Sequence, residues 1–579
     1  MSLHSTEEHR LGSAFQAWAG FERGVSIKAV EVTIHNFRSI CDATISLADY
    51  GILVGVNNAG KTTVIDAIRA FYGKGVKFEK SRDFPYKGAE DAEAWVEIEF
   101  RPSAEELVTL KDEYRSGNQT FRVRNYLCSD QKDKEGKERS GPYAYLDGTL
   151  SDERFYGFKN VGQGKFGEII YIPAVSKIDE HTKLTGPSAL RELVNSVLSK
   201  VMAQSGAYQT LSESFAQFEG AIKTEATTDG HSLQSIETDI SKELKDWGAG
   251  FKFNIKPVGI DDIIKGLVNH EILDESLDRT QPISAYGQGF QRSVIYTLIR
   301  VAAKYSAKIK LPKKKEFAPE LTWILFEEPE AFLHPTQVSS LNSDLRALAE
   351  SSVSQVLLST HNPQFATHSI RDITAICRLQ RESCRTKSYQ ISNQELDAVL
   401  AVNQHDAQSW AASGMQIDAD DLLIDMEAVK YALWLDQKRS AAFFSEKVLL
   451  VEGPTESALL SYMFDQGLLP ICKDVFILDT IGKYNIHRFM RLFHAFGIRH
   501  YVLYDSDDGR HAPVDATIQK ASNPFTGGID TFPKDLESYI GIAPAARSHR
   551  KPQHVMLQVA TSDVDLTPLA SKISILISQ

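Results

Sequence analysis

Apolar and polar positions alternate along this chain with a period that changes from segment to segment. Val30-Glu-Val-Thr-Ile-His-Asn-Phe-Arg-Ser39 alternates every second residue, and Ala43 to Leu47 does so again. Period two over such lengths predicts two short strands joined by a turn. The apolar run Gly51 to Val54 predicts a buried strand, and Val64 to Phe71 predicts an amphipathic helix. Ala94 to Phe100 reads as a half-buried strand and Glu168 to Pro173 as a buried one. From Ser188 to about Lys245 the period becomes helical: Leu190, Leu193, Val194, Leu198, Val201 and Met202 recur every three or four residues, followed by Phe215, Phe218 and Ile222. Apolar runs then end in acids, His or Gly at Leu321–Glu330, Gln355–His361, Lys447–Glu452, Val475–Gly482 and Arg499–Asp505. Residues 101 to 165 are polar and rich in Gly, Lys and Glu, and predict no element.

At 579 residues the chain is too long for one core, and three or four domains are expected. With 42% hydrophobic and 24% charged residues the composition is that of a soluble globular protein. No apolar run reaches the length of a membrane span, and the N-terminus lacks the pattern of a secretory signal. Five cysteines without a C-x-x-C pair point to a reducing cytosol and away from a zinc site. The net charge of −12 gives no hint of a polyanionic partner, although acidic metal clusters would add to it. The local basic groups are Lys308–Lys315, Lys483–Arg499 and Arg547–Lys551; each alone is more often a solvated face than a DNA contact.

The most specific motif is Gly55-x-x-x-x-Gly60-Lys61-Thr62, between the predicted strand and helix. It is the phosphate-cradling loop of a nucleoside triphosphatase. Two glycines let the backbone wrap so that its N–H groups face phosphate oxygens. Lys61 adds a charge for the β/γ-phosphates and the Thr62 hydroxyl is placed for Mg²⁺, so ATP and Mg²⁺ are the expected cofactors. Asn57, Asn58, Gly60, Lys61, Thr62 and Thr63 are the expected nucleotide contacts. Asp83 is a weak candidate for a metal-bound water, with a surface turn the blander reading.

A second anion site is expected at Ser284-Ala-Tyr-Gly287-Gln-Gly289-Phe-Gln-Arg292, before an apolar helix from Ser293 to Ala303. Glu327, at the end of the strand from Leu321, sits where an acid holds the Mg²⁺ water shell. Glu328 sits where a carboxylate polarises the water attacking a γ-phosphate, and His361 is suited to contacting that phosphate. The order of these features resembles the ATPase head of the ABC/SMC/RecF class, and Asn36-Phe-Arg-Ser39 fits the SMC/RecF branch. In that class the serine–glycine signature of one subunit completes the ATP site of the other, which implies a dimer. The insertion between loop and signature lacks sustained heptads, which disfavours an SMC rod.

In the C-terminal third, Glu452 ends a strand and Glu456 lies in the first turn of the next helix, both able to face one crevice. Two carboxylates there are costly without a divalent cation between them. Asp505-x-Asp507 ends another strand, where alternation puts both acids on the same side of an extended chain. Glu–Gly…Glu followed by Asp-x-Asp on strand ends is the pattern of a Toprim domain. Glu537 offers a further carboxylate, with Asp535 and Asp508 as less specific alternates, and Lys551 a cation for transition-state charge.

Fusion of an ABC-type ATPase with a C-terminal Toprim domain resembles the OLD (overcoming lysogenization defect) family of ATP-dependent nucleases, to which the nucleases of Gabija and of some retron systems belong. The resemblance covers nearly the whole chain except the N-terminal extension and the polar stretch before residue 165. It implies an α/β fold: an ABC-type P-loop head with a helical insertion, then a Rossmann-like Toprim domain. The expected divisions are 1–25 (extension), 26–180 and 250–375 (two parts of the ATPase), 181–249 (helical dimerisation insertion), 376–440 (connector) and 441–579 (Toprim). By the family's pattern Glu452 and Glu456 bind one metal, Asp505, Asp507 and Glu537 complete the site, and Lys551 is the catalytic cation. The expected activity is ATP-regulated nicking or cleavage of DNA with Mg²⁺ or Mn²⁺. The expected setting is the cytoplasm, as a homodimer or larger assembly, in defence against phage, with or without a partner protein or nucleic acid. The alternative is a RecF/SMC-like ATP-gated DNA clamp without nuclease activity. A primase or topoisomerase would need a zinc module or a strand-passage domain, for which no region is left, and an RNA target stays open.

Overall fold

The computed structural model describes residues 27–156 (bar 86 and 135), 166–174, 205–245, 249–253, 272–306 (bar 276 and 277), 317, 321–350, 354–366, 370–469 and 474–578. The extension before residue 26, the heptad-free helical positions from Leu190 to Met202, the basic run Lys308–Lys315 and Cys472 fall outside them. The chain divides into two compact units, one of Met1–Ala174 with Lys313–Gln579 and one of Val175–Pro312.

In the first unit, β1 (Lys28–Phe37) and β2 (Ile40–Ser46) form the expected hairpin. β3 (Tyr50–Val54) follows, buried at every position, and leads into the phosphate loop and the helix Lys61–Phe71. β4 (Ala94–Arg101) pairs with β1, and β5 (Phe121–Cys128), β6 (Gly141–Leu146) and β7 (Thr149–Arg154) continue that antiparallel sheet to six strands in the order β2-β1-β4-β5-β6-β7. The polar stretch after residue 101 therefore holds three strands. Cross-strand ion pairs join β5 to β4, Arg122 with Glu99 at 2.8 Å and Arg124 with the buried Glu97 at 2.8 Å, and dilute the apolar pattern. The apolar side of the sheet, with Val32, Ile34, Val96, Ile98 and Val123, packs on Val64, Ile65 and Ile68 of the loop helix.

A second six-stranded sheet contains β8 (Glu168–Ile172), β11 (Thr322–Glu327), β12 (Ser354–Ser359), β13 (Ile376–Glu382) and β14 (Arg385–Tyr389), with β3 inside it, in the order β14-β13-β3-β12-β11-β8. All its pairings are parallel except β13 with β14. The ATPase sheet thus runs on past residue 375, into the stretch read as connector. The helices Asn393–Ala412 and Ile424–Trp434 complete that stretch and are bonded to the C-terminal domain. Glu427 takes both arms of the buried Arg488 guanidinium at 2.6 Å, and Trp410 donates to Thr517 at 3.0 Å. The basic stretch Lys483–Arg499 is in large part inward-facing: Lys483 and Arg488 are buried, and Arg491 is paired with Asp406.

The C-terminal domain is a four-stranded parallel sheet of β15 (Lys447–Val451), β16 (Val475–Asp479), β17 (Arg499–Asp505) and β18 (Thr526–Phe532), ordered β16-β15-β17-β18. Leu449, Val451, Tyr501 and Leu503 face the helices Pro454–Asp465, Lys551–Thr561 and Thr567–Ser578 through Leu459, Val555 and Leu569. One side chain ties this sheet to the ATPase sheet. Arg378, level with Val54 across the β13–β3 pairing, is 1% exposed. Its guanidinium donates to the carbonyls of Phe443, Ser445, Phe496 and Gly497 at 3.3, 2.9, 3.1 and 3.1 Å. These carbonyls lie just before β15 and β17, the strands that end at Glu452 and Asp505.

The second unit contains the helices Gly206–Thr224 and Leu233–Glu243, the hairpin β9 (Ile272–Asp274) and β10 (Arg279–Gln281), and the helix Gln288–Ser306. The signature helix begins at Gln288, five positions earlier than the apolar run suggests. Among the described residues no helix is long and apolar enough to cross a membrane.

Replacing Arg378 with Ala strands four buried carbonyls, so Arg378→Ala should lower stability by about 3 kcal/mol or more. A lower denaturant midpoint for the full chain, with faster proteolysis between residues 390 and 440, is the expected result; an unchanged midpoint would show that the seam does not depend on this residue.

Candidate functional site

Parallel strands bring the ATPase residues to one edge. Leu53 of β3 is level with Ser359 of β12, which is level with Glu327 of β11, so Gly55, His361 and Glu328 all leave the sheet at the same end. Gly55 has a φ of +136°, and a Cβ there would lie 2.2 Å from the Leu379 carbonyl of β13, so only glycine fits. Gly60 caps the helix with a φ of +108° and no side-chain cap, leaving the first-turn N–H groups for an anion. Asn57, Asn58 and Thr62 are exposed on this rim and Thr63 is half-buried. Lys61 is folded over its own loop, donating to the carbonyls of Gly55 and Val56 at 2.9 and 3.0 Å. Burial lowers its pKa to about 8 against the pull of Glu328 and Glu330.

Glu327 is buried, with one oxygen accepting from the Tyr171 hydroxyl at 3.0 Å and the other, Oε1, without a hydrogen-bond partner. That orphaned oxygen suits a cation's water shell. Glu328 has a left-handed φ of +43°, and its carboxylate is 3.7 Å from His361 Nε2. Burial and the nearby Lys61 lower the pKa of His361 against the pull of Glu328. Glu330, not singled out from the sequence, accepts from the Thr360 hydroxyl at 2.9 Å and the His361 N–H at 2.7 Å, so it fixes the turn that carries His361. Asp83 is fully buried and paired with Arg38 at 2.9 Å and Arg82 at 2.6 Å, an anchor beneath the loop helix. Ser284 lies exposed in the turn Ile283–Ala285, Gly287 just precedes the helix Gln288–Ser306, and Gly289 is inside its first turn.

The C-terminal site forms by the same rule, at the carboxyl ends of β15 and β17. Val451 is level with Leu503, and Glu452 accepts from the Asp505 N–H at 3.4 Å. Glu456 is buried, with one oxygen accepting from the Gly453 N–H at 3.0 Å as the helix cap. Lys551, the first residue of its helix, sits 2.9 Å from Glu537 and 3.4 Å from Asp505. The site therefore brings together Glu452, Glu456, Asp505, Glu537 and Lys551. Of the alternates, Asp535 caps the helix Leu536–Tyr539 and Asp508 is exposed.

Asp507 reaches this edge by a different route from the one alternation suggests. The strand ends at Asp505, and Asp507 and Asp508 turn with left-handed φ of +52° and +53°. Its carboxylate is held by Lys483 at 3.2 Å and His511 at 3.1 Å. Lys483 was missed among the basic residues of its segment, although a Gly-Lys pair directly after a strand was visible there.

Burial, then the neighbouring acids, raise Glu452 to about 8 and Asp505 to about 7, the latter in spite of Lys551. Burial opposes the charge on Lys551, but Glu537, Asp505 and Glu456 together hold its pKa above the usual range. Among the described residues no three carboxylate, His or Cys groups close into a ready-made cage. Mg²⁺, however, keeps several waters and takes only one or two carboxylates directly. Asp505 Oδ1 is buried without a hydrogen-bond partner, and the donors are all hard oxygens, so the residues fit Mg²⁺ or Mn²⁺.

A phosphate loop with strand-end acids in one domain, and buried acids around a lysine in a parallel Rossmann-like sheet in the other, define an ATPase fused to a Toprim domain. The comparisons agree. An AAA ATPase domain model matches residues 28–140 and 109–366, and the overcoming lysogenization defect protein-like TOPRIM domain matches 443–507. The chain belongs to the AAA ATPase domain family over its first part and carries an OLD-like TOPRIM domain after it. It is 24% identical to the Old nuclease of Escherichia phage P2, over 83% of this chain and 78% of that protein. It is 22% identical to the endonuclease GajA of Bacillus cereus (83% and 75%) and 21% identical to the OLD nuclease of Thermus scotoductus (82% and 81%).

An acid whose ionisation is delayed on folding takes up protons as the chain folds, so stability falls as pH rises through that interval. For Glu452 the interval runs from its ordinary 4.5 to about 8. In EDTA the Tm of the wild type should drop between about pH 5 and pH 8, and Glu452→Gln should flatten that slope. Parallel slopes for the two proteins would contradict the burial argument.

Proposed function

We propose that this chain is an ATP-regulated, divalent-metal-dependent DNA endonuclease that works as a homodimer or larger assembly. The observation that carries the reading is the gathering of Glu452, Glu456, Asp505 and Glu537 around Lys551 at the ends of β15 and β17. A binding module for DNA phosphates would gain nothing from buried acids, which repel the backbone. Glu452 and Asp505 would hold the cation, with Glu456, Asp507 and Glu537 completing the site. A divalent cation there supplies Lewis-acid polarisation of the phosphodiester and a nucleophile at neutral pH. Lys551, held charged, offsets the negative charge that develops on the phosphoryl oxygens.

In the ATPase head, the loop N–H groups, Lys61, Thr62 and Thr63 would bind the phosphates of ATP, with Asn57 and Asn58 on the rim. Thr62 and Glu327 would hold Mg²⁺ and its waters, Glu328 would polarise the attacking water, and His361 would contact the γ-phosphate. Ser284, Gly287 and Gly289 of a second subunit would complete that site, which makes the ATPase a dimer-dependent control on cutting. The family resemblance supports a role in the cytoplasm against phage.

The test is plasmid cleavage with Mg²⁺ or Mn²⁺, crossing ATP, ADP and no nucleotide with wild type, Lys61→Ala and Glu452→Ala. Glu452→Ala should cut roughly 100-fold more slowly or less, with ATP hydrolysis retained. Lys61→Ala should lose ATP hydrolysis; faster cutting then means that ATP restrains the nuclease, and lost cutting that it licenses it. Supercoiled and linear DNA left intact by the wild type, with Glu452→Ala indistinguishable, would leave an ATP-gated DNA clamp as the reading.

A further inference from the structure

Lys483 is 2% exposed, beyond the reach of a substrate, yet it touches the acid site from behind. It follows the turn after β16, whose Gly482 has a φ of +105° and donates its N–H to the Glu452 carbonyl at 2.7 Å. Its ammonium donates to the Asp505 carbonyl at 2.6 Å and to Asp507 Oδ2 at 3.2 Å, and it forms an ion pair with Asp515 Oδ1 at 2.7 Å. A buried ammonium held by two hydrogen bonds and two carboxylates is a fixed post.

The post stands where the backbone most needs one. Left-handed φ at two successive aspartates is a conformation that the surrounding structure must impose. Lys483 grips both sides of that turn, the last strand carbonyl at Asp505 and the Asp507 side chain. His511 approaches the same oxygen, Oδ2, at 3.1 Å. Both bonds therefore fall on one oxygen of Asp507, and Oδ1 is the one offered to a ligand. Asp515, in the helix Ala512–Lys520, holds the ammonium from the far side.

We propose that Lys483 is a positioning residue of the Toprim acid site, which sets the Asp505–Asp507 turn so that Asp507 Oδ1 joins Glu452 and Asp505 around a divalent cation and its waters. This deepens the nuclease reading and rests on it for the purpose of the cation, though not for the binding itself. It gives the two lysines of the site different places: Lys551 is partly exposed beside Glu537 and Asp505, and Lys483 supports the acids from inside.

The test uses full-length protein stripped of metal and free of nucleotide. Mn²⁺ binding is followed by calorimetry, with Glu452→Gln identifying the signal of the Toprim site. Lys483→Met, similar in length and uncharged, should weaken that binding roughly 10- to 100-fold. Its DNA cleavage should recover toward the wild-type rate as Mn²⁺ is raised, and its ATP hydrolysis should be unchanged. Asp515→Asn, which removes only the rear anchor, should weaken binding in the same direction by less, and it carries the test if Lys483→Met does not fold. Wild-type affinity in a folded Lys483→Met, or in Asp515→Asn where that variant carries the test, overturns the proposal. A wild type that binds Mn²⁺ and leaves DNA intact overturns the nuclease reading alone.

Discussion

Buried negative charge at the ends of parallel strands is the constraint on which the C-terminal half depends. Carboxylates pressed together out of water favour the protonated form, and Glu452 and Asp505 show it in their raised pKa values. Folding tolerates the cluster because two cations are built into it from opposite directions. Lys551 arrives on a late helix and Lys483 on the turn after β16. The ATPase head meets the same problem with the opposite sign. There an orphaned Glu327 oxygen and a partly desolvated Lys61 wait around a loop whose N–H groups already favour an anion.

Both sites follow from one topological fact, that parallel strands deliver their C-terminal residues to a common edge. In the head, β3, β12 and β11 bring the phosphate loop, His361 and Glu327–Glu328 level with one another. In the Toprim domain, β15 and β17 do the same for Glu452 and Asp505. In the head, residues hundreds of positions apart meet in this way.

That fact is also why so much was legible in the sequence. An acid, glycine or histidine directly after an apolar run announces a strand end, and Gly55, Glu327, His361, Glu452 and Asp505 were all found this way. What stayed hidden was chemistry set by partners distant in sequence. Lys483 and Arg488 look like solvated charge until Asp505, Asp515 and Glu427 are placed against them. Asp507 was expected beside Asp505 by strand alternation, but β17 stops at Asp505 and a left-handed turn does the placing. The strands after residue 101 escaped notice because cross-strand ion pairs remove the apolar excess that a period-two reading needs.

Arg378 has a consequence for how such a protein can change over generations. Its guanidinium is matched by carbonyls on two segments of the other domain, which are chosen by backbone position and not by side-chain type. Point substitutions in those segments leave the acceptors in place, so the seam tolerates drift in sequence. An insertion or deletion of one residue near 443–445 or 496–497 moves the carbonyls and leaves a charge buried alone. The two halves are thus free to diverge by substitution while their spacing is held, and a domain exchanged from another lineage would have to bring a seam of the same length.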